Sequence, residues 1–191
     1  DKTGEKVAVV CGNRAGISHI VSLMLRLFDI DKTDGGPEDS FVKIGGVNIQ
    51  DVDSERLRKA VLVIPQNAYM FSGSIKKNLD PWDQHTEEEI WKVLEQVKLK
   101  EYVEGLKDKL NTSLGRGLTV FSVGQKHLLA IARAMLRGGK IIIQDEATTH
   151  VDLTTNHAVQ KNIVNMYKDS TLITVTHRLF DIAKYDKVLL I

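Results

Sequence analysis

Short apolar runs alternate with helical repeats at both ends of the chain, whereas the middle of the chain is mostly helical in pattern. The strand-like runs are KVAVV (6–10), AVLVIP (60–65), KIIIQDE (140–146), TLITVTH (171–177) and KVLLI (187–191). Segments 17–28, 125–137 and 154–167 instead read as amphipathic helices, as does a short segment before the last strand. This alternation predicts an α/β fold, a mostly parallel sheet with helices on its faces.

Local patterns predict two further elements, a hairpin and a helix, and the buried face of the helix over 17–28. FVKIGGVNI (41–49), which follows the turn-rich segment 31–40, suits a hairpin that turns at Gly45 and Gly46. Thr86 and Glu89 predict a capping box, which opens a helix whose buried face carries Ile90, Val93, Leu94 and Val97. The helix over 17–28 is expected to bury Ile20, Leu23, Met24 and Leu27.

Composition limits the classes of protein to which the chain can belong. A chain of 191 residues with 42% hydrophobic content can bury the core of one domain. The 26 basic and 25 acidic residues leave a net charge of +1, so no broad cationic face indicates nucleic acid or anionic lipid. The single cysteine excludes an internal disulfide and fits a reducing compartment. No apolar run approaches the roughly 18 residues that span a bilayer, and the first residues lack a signal-peptide pattern, so we expect a soluble domain.

The segment C-G-N-R-A-G-I-S (11–18) stands where a phosphate-binding loop would lie, between a strand and a helix. Such a loop has the pattern G-x-x-x-x-G-K-[ST], whose backbone N–H groups and lysine hold phosphates. Only Gly16 and Ser18 match it, so the loop is a chance near-match or a nucleotide site with altered chemistry.

Adjacent carboxylates, Asp145 and Glu146, follow the apolar strand at 140–144. In a parallel sheet, ligands collect at the carboxyl ends of the strands. The first carboxylate can hold Mg²⁺ through water, and the second can orient or deprotonate an attacking water. Alone, the pair would fit a strand end capped by solvated acids.

The pair is accompanied by further motifs in a fixed order: IPQN with Gln66, FSVGQ (121–125), DEATTHVD (145–152) and TVTHRL with His177. With the loop at 11–18, these five motifs resemble the nucleotide-binding domain of an ABC transporter over essentially the whole chain. FSGSIKKNLDPW (71–82), GVNI and Val123 are similar to class C, the multidrug-resistance-associated group, particularly its second nucleotide-binding domain. The resemblance implies a P-loop NTPase fold with an inserted helical signature lobe over about 67–137 and a small antiparallel β part.

Aligned without a gap from GEKV, the loop departs from the family at three positions. Cys11 and Arg14 stand where the family has glycines, and Ile17 stands where it has the lysine. Side chains at the glycine positions strain the loop by about 1–3 kcal/mol each, and a charge-assisted lysine contact contributes roughly 1.5–3 kcal/mol. A combined loss of about 3–6 kcal/mol weakens binding by about two to four decades. Arg14 is in the wrong register to replace the lysine.

The resemblance also implies ATP and Mg²⁺ as cofactors and assigns roles to individual residues. The nucleotide-binding residues are Cys11, Gly12, Asn13, Arg14, Ala15, Gly16, Ile17, Ser18 and Gln66. The metal residues are Ser18, Gln66 and Asp145; Glu146 activates water and His177 contacts the γ-phosphate. The signature residues, which complete the site of a partner domain, are Ser122, Val123, Gly124 and Gln125, and Asp152 belongs to the D-loop.

The implied partners are the transmembrane domains of an exporter and a second nucleotide-binding domain in a head-to-tail pair, at the cytoplasmic face of a membrane and without nucleic acid. Family segments that flank this region are not in the sequence, so the domain is expected to be truncated at both ends. Three functions stay open: an exporter ATPase domain with a weakened or lost site, a non-catalytic scaffold or relic, and a soluble ABC ATPase of DNA repair or translation. ATP affinity separates the first two, and the exporter-like segment 71–82 weighs against the third.

Two minor expectations concern polar residues. Gln144 replaces a usually apolar residue before the strand-end aspartate, and it is expected to find a structural partner. Five histidines show no spacing that would bind a metal, and most are expected on the surface: His19, His85, His127, His150 and His157.

Overall fold

The computed structural model describes residues 4–10, 15–28, 42–65, 68–115, 120–145, 151–176 and 185–190, with the backbone alone for 15–18. The chain divides into two compact units. The first unit comprises Asp1–Val63, Gly139–Gln144 and Asp169–Ile191, and the second comprises Ile64–Gly138 and Asp145–Lys168.

The five predicted strands and the helices predicted near 17–28, 125–137 and 154–167 occur in the predicted order, whereas the short helix predicted before the last strand lies outside the described residues. The strands are β1 Lys6–Val10, β2 Lys43–Ile44, β3 Val47–Asn48, β4 Val61–Ile64, β5 Gly73–Ser74, β6 Ser113–Leu114, β7 Ile141–Asp145, β8 Thr171–Val175 and β9 Lys187–Leu190. The helices are α1 Ala15–Met24, α2 Ser54–Ala60, α3 Ile75–Leu79, α4 Glu87–Gln96, α5 Lys100–Glu104, α6 Val123–Arg137 and α7 Leu153–Met166, with short 3₁₀ helices at Ile49–Asp51 and Lys109–Asn111.

A five-stranded sheet in the order β4-β7-β8-β1-β9 forms the centre of the first unit. Strand β1 runs parallel to both of its neighbours, so that Val9 lies opposite Val175 on one side and Leu189 on the other. The central strands are apolar and inaccessible because both faces of a parallel sheet are covered, and Ala8, Ile142 and Leu172 are completely buried. The sheet confirms the prediction of a mostly parallel α/β fold.

A small antiparallel hairpin, β2 with β3, also lies in the first unit. Gly45 and Gly46, which join its strands, have φ angles of 58° and 81°. Two consecutive positive φ values define the tight hairpin turn that glycine adopts without strain. The predicted hairpin is therefore confirmed.

Helix α1 ends four residues earlier than predicted, at Met24. The Arg26 N–H bonds to the Leu23 carbonyl and the Leu27 N–H to the Ser22 carbonyl, which is the helix-ending Schellman pattern, with Arg26 at φ 48°. Three backbone carbonyls, those of Ile49, Gln50 and Val52, accept hydrogen bonds from the Arg26 guanidinium and hold this turn in place.

The predicted buried face of α1 is correspondingly wrong in part. Ile20 and Leu27 are 40% and 55% exposed. Met24 packs into the core around Ile49 and Ile143 as predicted, and it is joined there by Val21 and Leu25. Because the chain leaves the helix at Met24, the helical period no longer places Leu27 on the inner face.

The second unit is mainly helical and contains α3 to α7 with the two-stranded β5–β6 pair. Helix α4 begins with the predicted capping box, in which the Thr86 side chain accepts from the Glu89 N–H and the Glu89 carboxylate accepts from the Thr86 N–H at 2.8 Å. The predicted inner face of α4 is buried as expected: Ile90, Val93, Leu94 and Val97. In the part of the chain that the structure describes, no helix has both the length and the apolar character needed to cross a bilayer.

Gln144 lies in the interior of the first unit, 1% exposed, and accepts a hydrogen bond of 3.5 Å from the Thr174 hydroxyl. The expectation of a structural partner for this residue is confirmed. Of the described histidines, His19 and His157 are exposed as expected.

Candidate nucleotide site

The signature segment FSVGQ forms the start of α6. Ser122 is the N-cap, and its Oγ accepts a hydrogen bond from the Gln125 N–H at 3.1 Å. The Gln125 Oε1 in turn accepts from the Ser122 N–H at 2.9 Å, which completes a capping box. The structure thus brings Ser122 and Gln125 together, with Val123 and Gly124 as the first two helical residues.

Two backbone donors stay open at this helix start. The box occupies the N–H groups of Ser122 and Gln125, and the Lys126 N–H bonds to the Ser122 carbonyl at 3.0 Å. Within the described ranges, no hydrogen bond reaches the N–H groups of Val123 and Gly124. Ser122 and Val123 are exposed and Gly124 is partly exposed, so both donors face an accessible surface. A helix N-terminus with unsatisfied donors favours an anion such as phosphate.

The rest of α6 is firmly packed. Leu129, Ile131 and Ala132 are completely buried, and Phe121, directly before the N-cap, is 3% exposed. The first turn of α6 is therefore held by a tightly packed helix, which suits a binding function that requires fixed orientation of the backbone donors.

His127 is an exception among the histidines, most of which were expected on the surface, because it is 3% exposed. Its Nδ1 donates to the Val123 carbonyl at 2.9 Å, since a carbonyl oxygen can only accept. His127, Ile131 and Ala134 recur at the i, i+4, i+7 spacing of one helix face, and this spacing could have predicted the burial.

Two of the predicted acidic residues are described, each in its own setting. Asp145 is the last residue of β7, at the strand's carboxyl end, with a partly exposed side chain. Asp152 is the N-cap of α7, where its Oδ1 accepts from the Thr155 N–H at 2.9 Å. Hydrogen bonds from the Thr155 backbone and side chain hold the pKa of Asp152 below its ordinary value. Asp152, which the resemblance assigns to the D-loop, therefore has a structural role as a helix cap.

The predicted phosphate loop is described only in its second half. Strand β1 ends at Val10, and Ala15, Gly16, Ile17 and Ser18 form the first turn of α1. Cys11, Gly12, Asn13, Arg14, Gln66, Glu146 and His177 lie outside the described residues. Across the described ranges, no three or more His, Cys, Asp or Glu side chains form a group that could hold a metal ion.

A buried polar network in the second unit is not evident from the sequence motifs. Asn78 in α3 is fully buried, and its side chain bonds both the N–H and the carbonyl of Phe71. The Arg133 guanidinium of α6 donates to the carbonyls of Asn78 at 2.5 Å and Tyr69 at 3.2 Å, and it lies 5.1 Å from the centre of the Phe71 ring. Burial lowers the pKa of Arg133. The network fixes segment 69–74 to the signature helix.

Comparison with known proteins agrees with these features. The sequence model of the family described as "ABC transporter" matches residues 2–149. ATP-binding cassette sub-family C member 4 of Mus musculus is 38% identical over 190 residues, which is 100% of this chain and 14% of that protein. A multidrug resistance-associated protein of Drosophila melanogaster is 40% identical over 185 residues, 97% of this chain and 13% of that protein.

Among solved structures, a bacterial Atm1-family ABC exporter with ATP bound superposes with a TM-score of 0.88 at 29% identity, over 99% of this chain and 32% of that chain. The described fold is therefore that of P-loop NTPases, as predicted. The chain spans only about a seventh of the length of the sub-family C relatives, 14% for the mouse protein. Taken together, the motifs, the fold and these comparisons place the chain in the ABC transporter family, with relatives in sub-family C, the multidrug-resistance-associated group.

Proposed function

We propose that this chain is an ATP-binding domain of a class C exporter, with a weakened phosphate loop of its own and a signature helix that completes the ATP site of a partner domain. The observation that carries the proposal is the start of α6. There the capping box satisfies two donors and leaves the N–H groups of Val123 and Gly124 open on an accessible surface. This arrangement fits the γ-phosphate of an ATP molecule presented by a second domain in a head-to-tail pair.

The chain's own site is the weaker one because its loop lacks the lysine. ABC domains bind ATP, generally with Mg²⁺, and the oxygen donors of Ser18, Gln66 and Asp145 fit such an ion. Bound there, Mg²⁺ would neutralise phosphate charge. Ile17 gives the phosphates no cation, however, and Cys11 and Arg14 replace glycines that let the backbone curl around them. Glu146 would orient the attacking water, and His177 would contact the γ-phosphate.

ATP affinity tests the own-site part of this proposal. We expect the isolated chain to bind ATP with Mg²⁺ in the high micromolar range or more weakly, as measured by calorimetric titration. Low-micromolar affinity would contradict the degenerate-loop assignment and would raise the importance of Arg14. The second candidate, a catalytically dead domain that only completes a partner's site or serves as a scaffold, is favoured by the apolar Ile17 and predicts no measurable binding.

The place of the domain in a larger assembly follows from the same proposal. The sub-family C relatives are far longer than this chain, and the structural neighbour is an exporter. We therefore place the chain at the cytoplasmic face of a membrane, joined to transmembrane domains and paired with a second nucleotide-binding domain. The exporter comparisons favour this assignment over a soluble ABC ATPase of DNA repair or translation.

The partner-site part is tested by pairing the chain with a class C domain whose phosphate loop is intact. Ser122→Arg should cut the ATPase rate of the pair severely, because it places bulk and charge where the phosphate docks. Ile17→Ala is the matched control and should change the rate little, since the site to which it belongs is already impaired. Equal effects of the two variants, or no effect of either, would reject the asymmetric pair.

A further inference from the structure

An aromatic residue of α5 contacts the two residues that lead into the signature helix. The Tyr102 hydroxyl donates a hydrogen bond to the Val120 carbonyl. The Tyr102 and Phe121 rings lie with their centroids 5.4 Å apart and their planes tilted by 46°, within the range of favourable aromatic pairs. Val120 and Phe121 directly precede Ser122, the N-cap of α6.

Both partners of this contact, helix α5 and the segment before α6, are packed in the core of the second unit. Helix α5 is held by Leu99 and Val103, which are 1% and 0% exposed, and the Val103 N–H bonds to the Leu99 carbonyl at 3.0 Å. Phe121 is buried on the other side. Tyr102 therefore fixes the backbone before Ser122 relative to a rigid neighbour, and with it the direction in which the first turn of α6 begins.

We propose that Tyr102 is a positioning residue for the signature: its hydroxyl fixes the Val120 carbonyl and thereby aims the Val123 and Gly124 N–H groups at the phosphate of the partner's ATP. This inference rests on the proposed function. Tyr102 touches no nucleotide itself and acts through the backbone of Val120 and Phe121.

The exposure of Tyr102 separates positioning from simple stabilisation. The residue is 39% exposed, so water can replace its hydroxyl at the Val120 carbonyl and removal should cost the fold little. Water does not restore a fixed direction, however. The net contribution of a neutral hydrogen bond corresponds to a roughly two- to tenfold change in the population of the aimed state.

Tyr167 provides a matched control, because it contacts α6 near the end opposite to Ser122. The Tyr167 hydroxyl donates to the Ala134 carbonyl of α6 at 2.9 Å, and Tyr167 is buried. Tyr102→Phe and Tyr167→Phe each delete a hydrogen bond from a tyrosine hydroxyl to a backbone carbonyl. The Tyr167 variant should lose more stability, because its acceptor is left without water.

The experiment measures ATPase kinetics at the partner site, with MgATP as the probe and the chain paired with a class C domain that has an intact phosphate loop. Tyr102→Phe should raise the KM for ATP by roughly two- to tenfold and leave kcat at saturating ATP within about twofold, because it alters alignment and not chemistry. Tyr167→Phe should leave the KM unchanged while lowering the unfolding midpoint. In the chain alone, Tyr102→Phe should speed amide hydrogen exchange at Gln125 and Lys126, whose N–H groups bond to Ser122, and Tyr167→Phe should not.

The outcomes distinguish this inference from the function on which it rests. If Ser122→Arg abolishes partner-site turnover while Tyr102→Phe leaves the KM unchanged, the positioning role is wrong and the proposed function stands. Equal KM changes in the two tyrosine variants would mean that both act through stability alone, which also rejects positioning. If Ser122→Arg has no effect, the proposed function fails and the role of Tyr102 fails with it.

Discussion

Replacing Asn78 by alanine should strongly destabilise the second unit, because this buried amide holds segment 69–74, of which only Gly73 and Ser74 lie in a strand. The Asn78 Oδ1 accepts from the Phe71 N–H at 3.0 Å and from the Arg133 guanidinium at 3.3 Å. Its Nδ2 donates to the carbonyls of Phe71 at 2.9 Å and Ser74 at 3.1 Å. Asn78 itself is completely buried, so water does not reach these groups in the folded state.

The expected loss of stability depends on which groups lose a hydrogen-bond partner when the Asn78 side chain is removed. Three of the four bonds join neutral groups, each contributing about 0.5–1.5 kcal/mol, and the bond to the Arg133 guanidinium contributes about 1.5–3 kcal/mol. Neighbouring bonds are not additive, and Arg133 keeps its contacts to the Asn78 and Tyr69 carbonyls. We therefore expect a loss of about 3–5 kcal/mol in the free energy of unfolding, a large part of the roughly 5–15 kcal/mol that holds a domain folded.

Urea denaturation followed by tryptophan fluorescence measures this loss in the correct place, because the two tryptophans, Trp82 and Trp91, both belong to the second unit. Asn162→Ala is the control, since among the described residues the Asn162 side chain makes one hydrogen bond, to the Gln96 carbonyl at 2.7 Å. The control should lose about 1 kcal/mol with an unchanged urea dependence. If Asn78→Ala costs no more than the control, the network does not hold segment 69–74.

Three further predictions concern single residues. Burial acts to raise the pKa of Asp80, but hydrogen bonds from Gln84 and His85 outweigh it and lower the pKa below the ordinary 3.8. Its stabilisation should therefore be complete above about pH 4 and be lost as the pH falls through the folded pKa, so the stability difference between wild type and Asp80→Asn should shrink on acidification. Any ATP turnover by the chain should disappear in Glu146→Gln without loss of binding; unchanged turnover would reject this residue as the base. Gly124→Ala should raise the unfolding midpoint, because glycine costs a helix up to about 1 kcal/mol, yet lower the partner-site ATPase rate, and a rate that rises with stability would contradict the proposed docking.

Much of the fold is predictable because its signals are local. The strand at β1, the two-glycine hairpin and the Thr86–Glu89 capping box each depend on residues within a few positions of one another. The end of α1 is harder to predict, because Arg26 adopts at φ 48° the left-handed conformation that usually signals glycine. Tertiary contacts stabilise this conformation, since the Arg26 guanidinium donates hydrogen bonds to the carbonyls of residues 49, 50 and 52. No periodicity in 17–28 contains that information.

The candidate site likewise combines a local pattern, which the sequence shows, with nonlocal contacts, which it does not. The Ser122–Gln125 box is a local S-x-x-Q pattern, and the family resemblance located its residues as the signature, although not as a capping box. The contacts that hold the box in place are not local, since Tyr102 and Val120 are 18 residues apart and Arg133 and Asn78 are 55 apart. Sequence motifs identify which groups carry the chemistry. The orientation of these groups depends on side chains that contact one another only after the chain has folded.

The start of α6 and the loop at 11–18 support the proposed function with different strength. A capping box stabilises a helix whether or not a nucleotide is bound, so Ser122 and Gln125 alone would also fit a relic. Glycine at the second helical position has no such explanation, because alanine there would make a more stable helix. Gly124 lowers helix stability, and its lack of a Cβ gives access to the N–H groups of Val123 and Gly124, which is useful if something must approach the backbone closely. The loop shows the opposite substitution pattern, with side chains where close approach to phosphate needs glycine. Glycine is therefore retained at the start of α6 and replaced in the chain's own loop, as the proposed function expects of a domain that acts mainly on its partner's ATP.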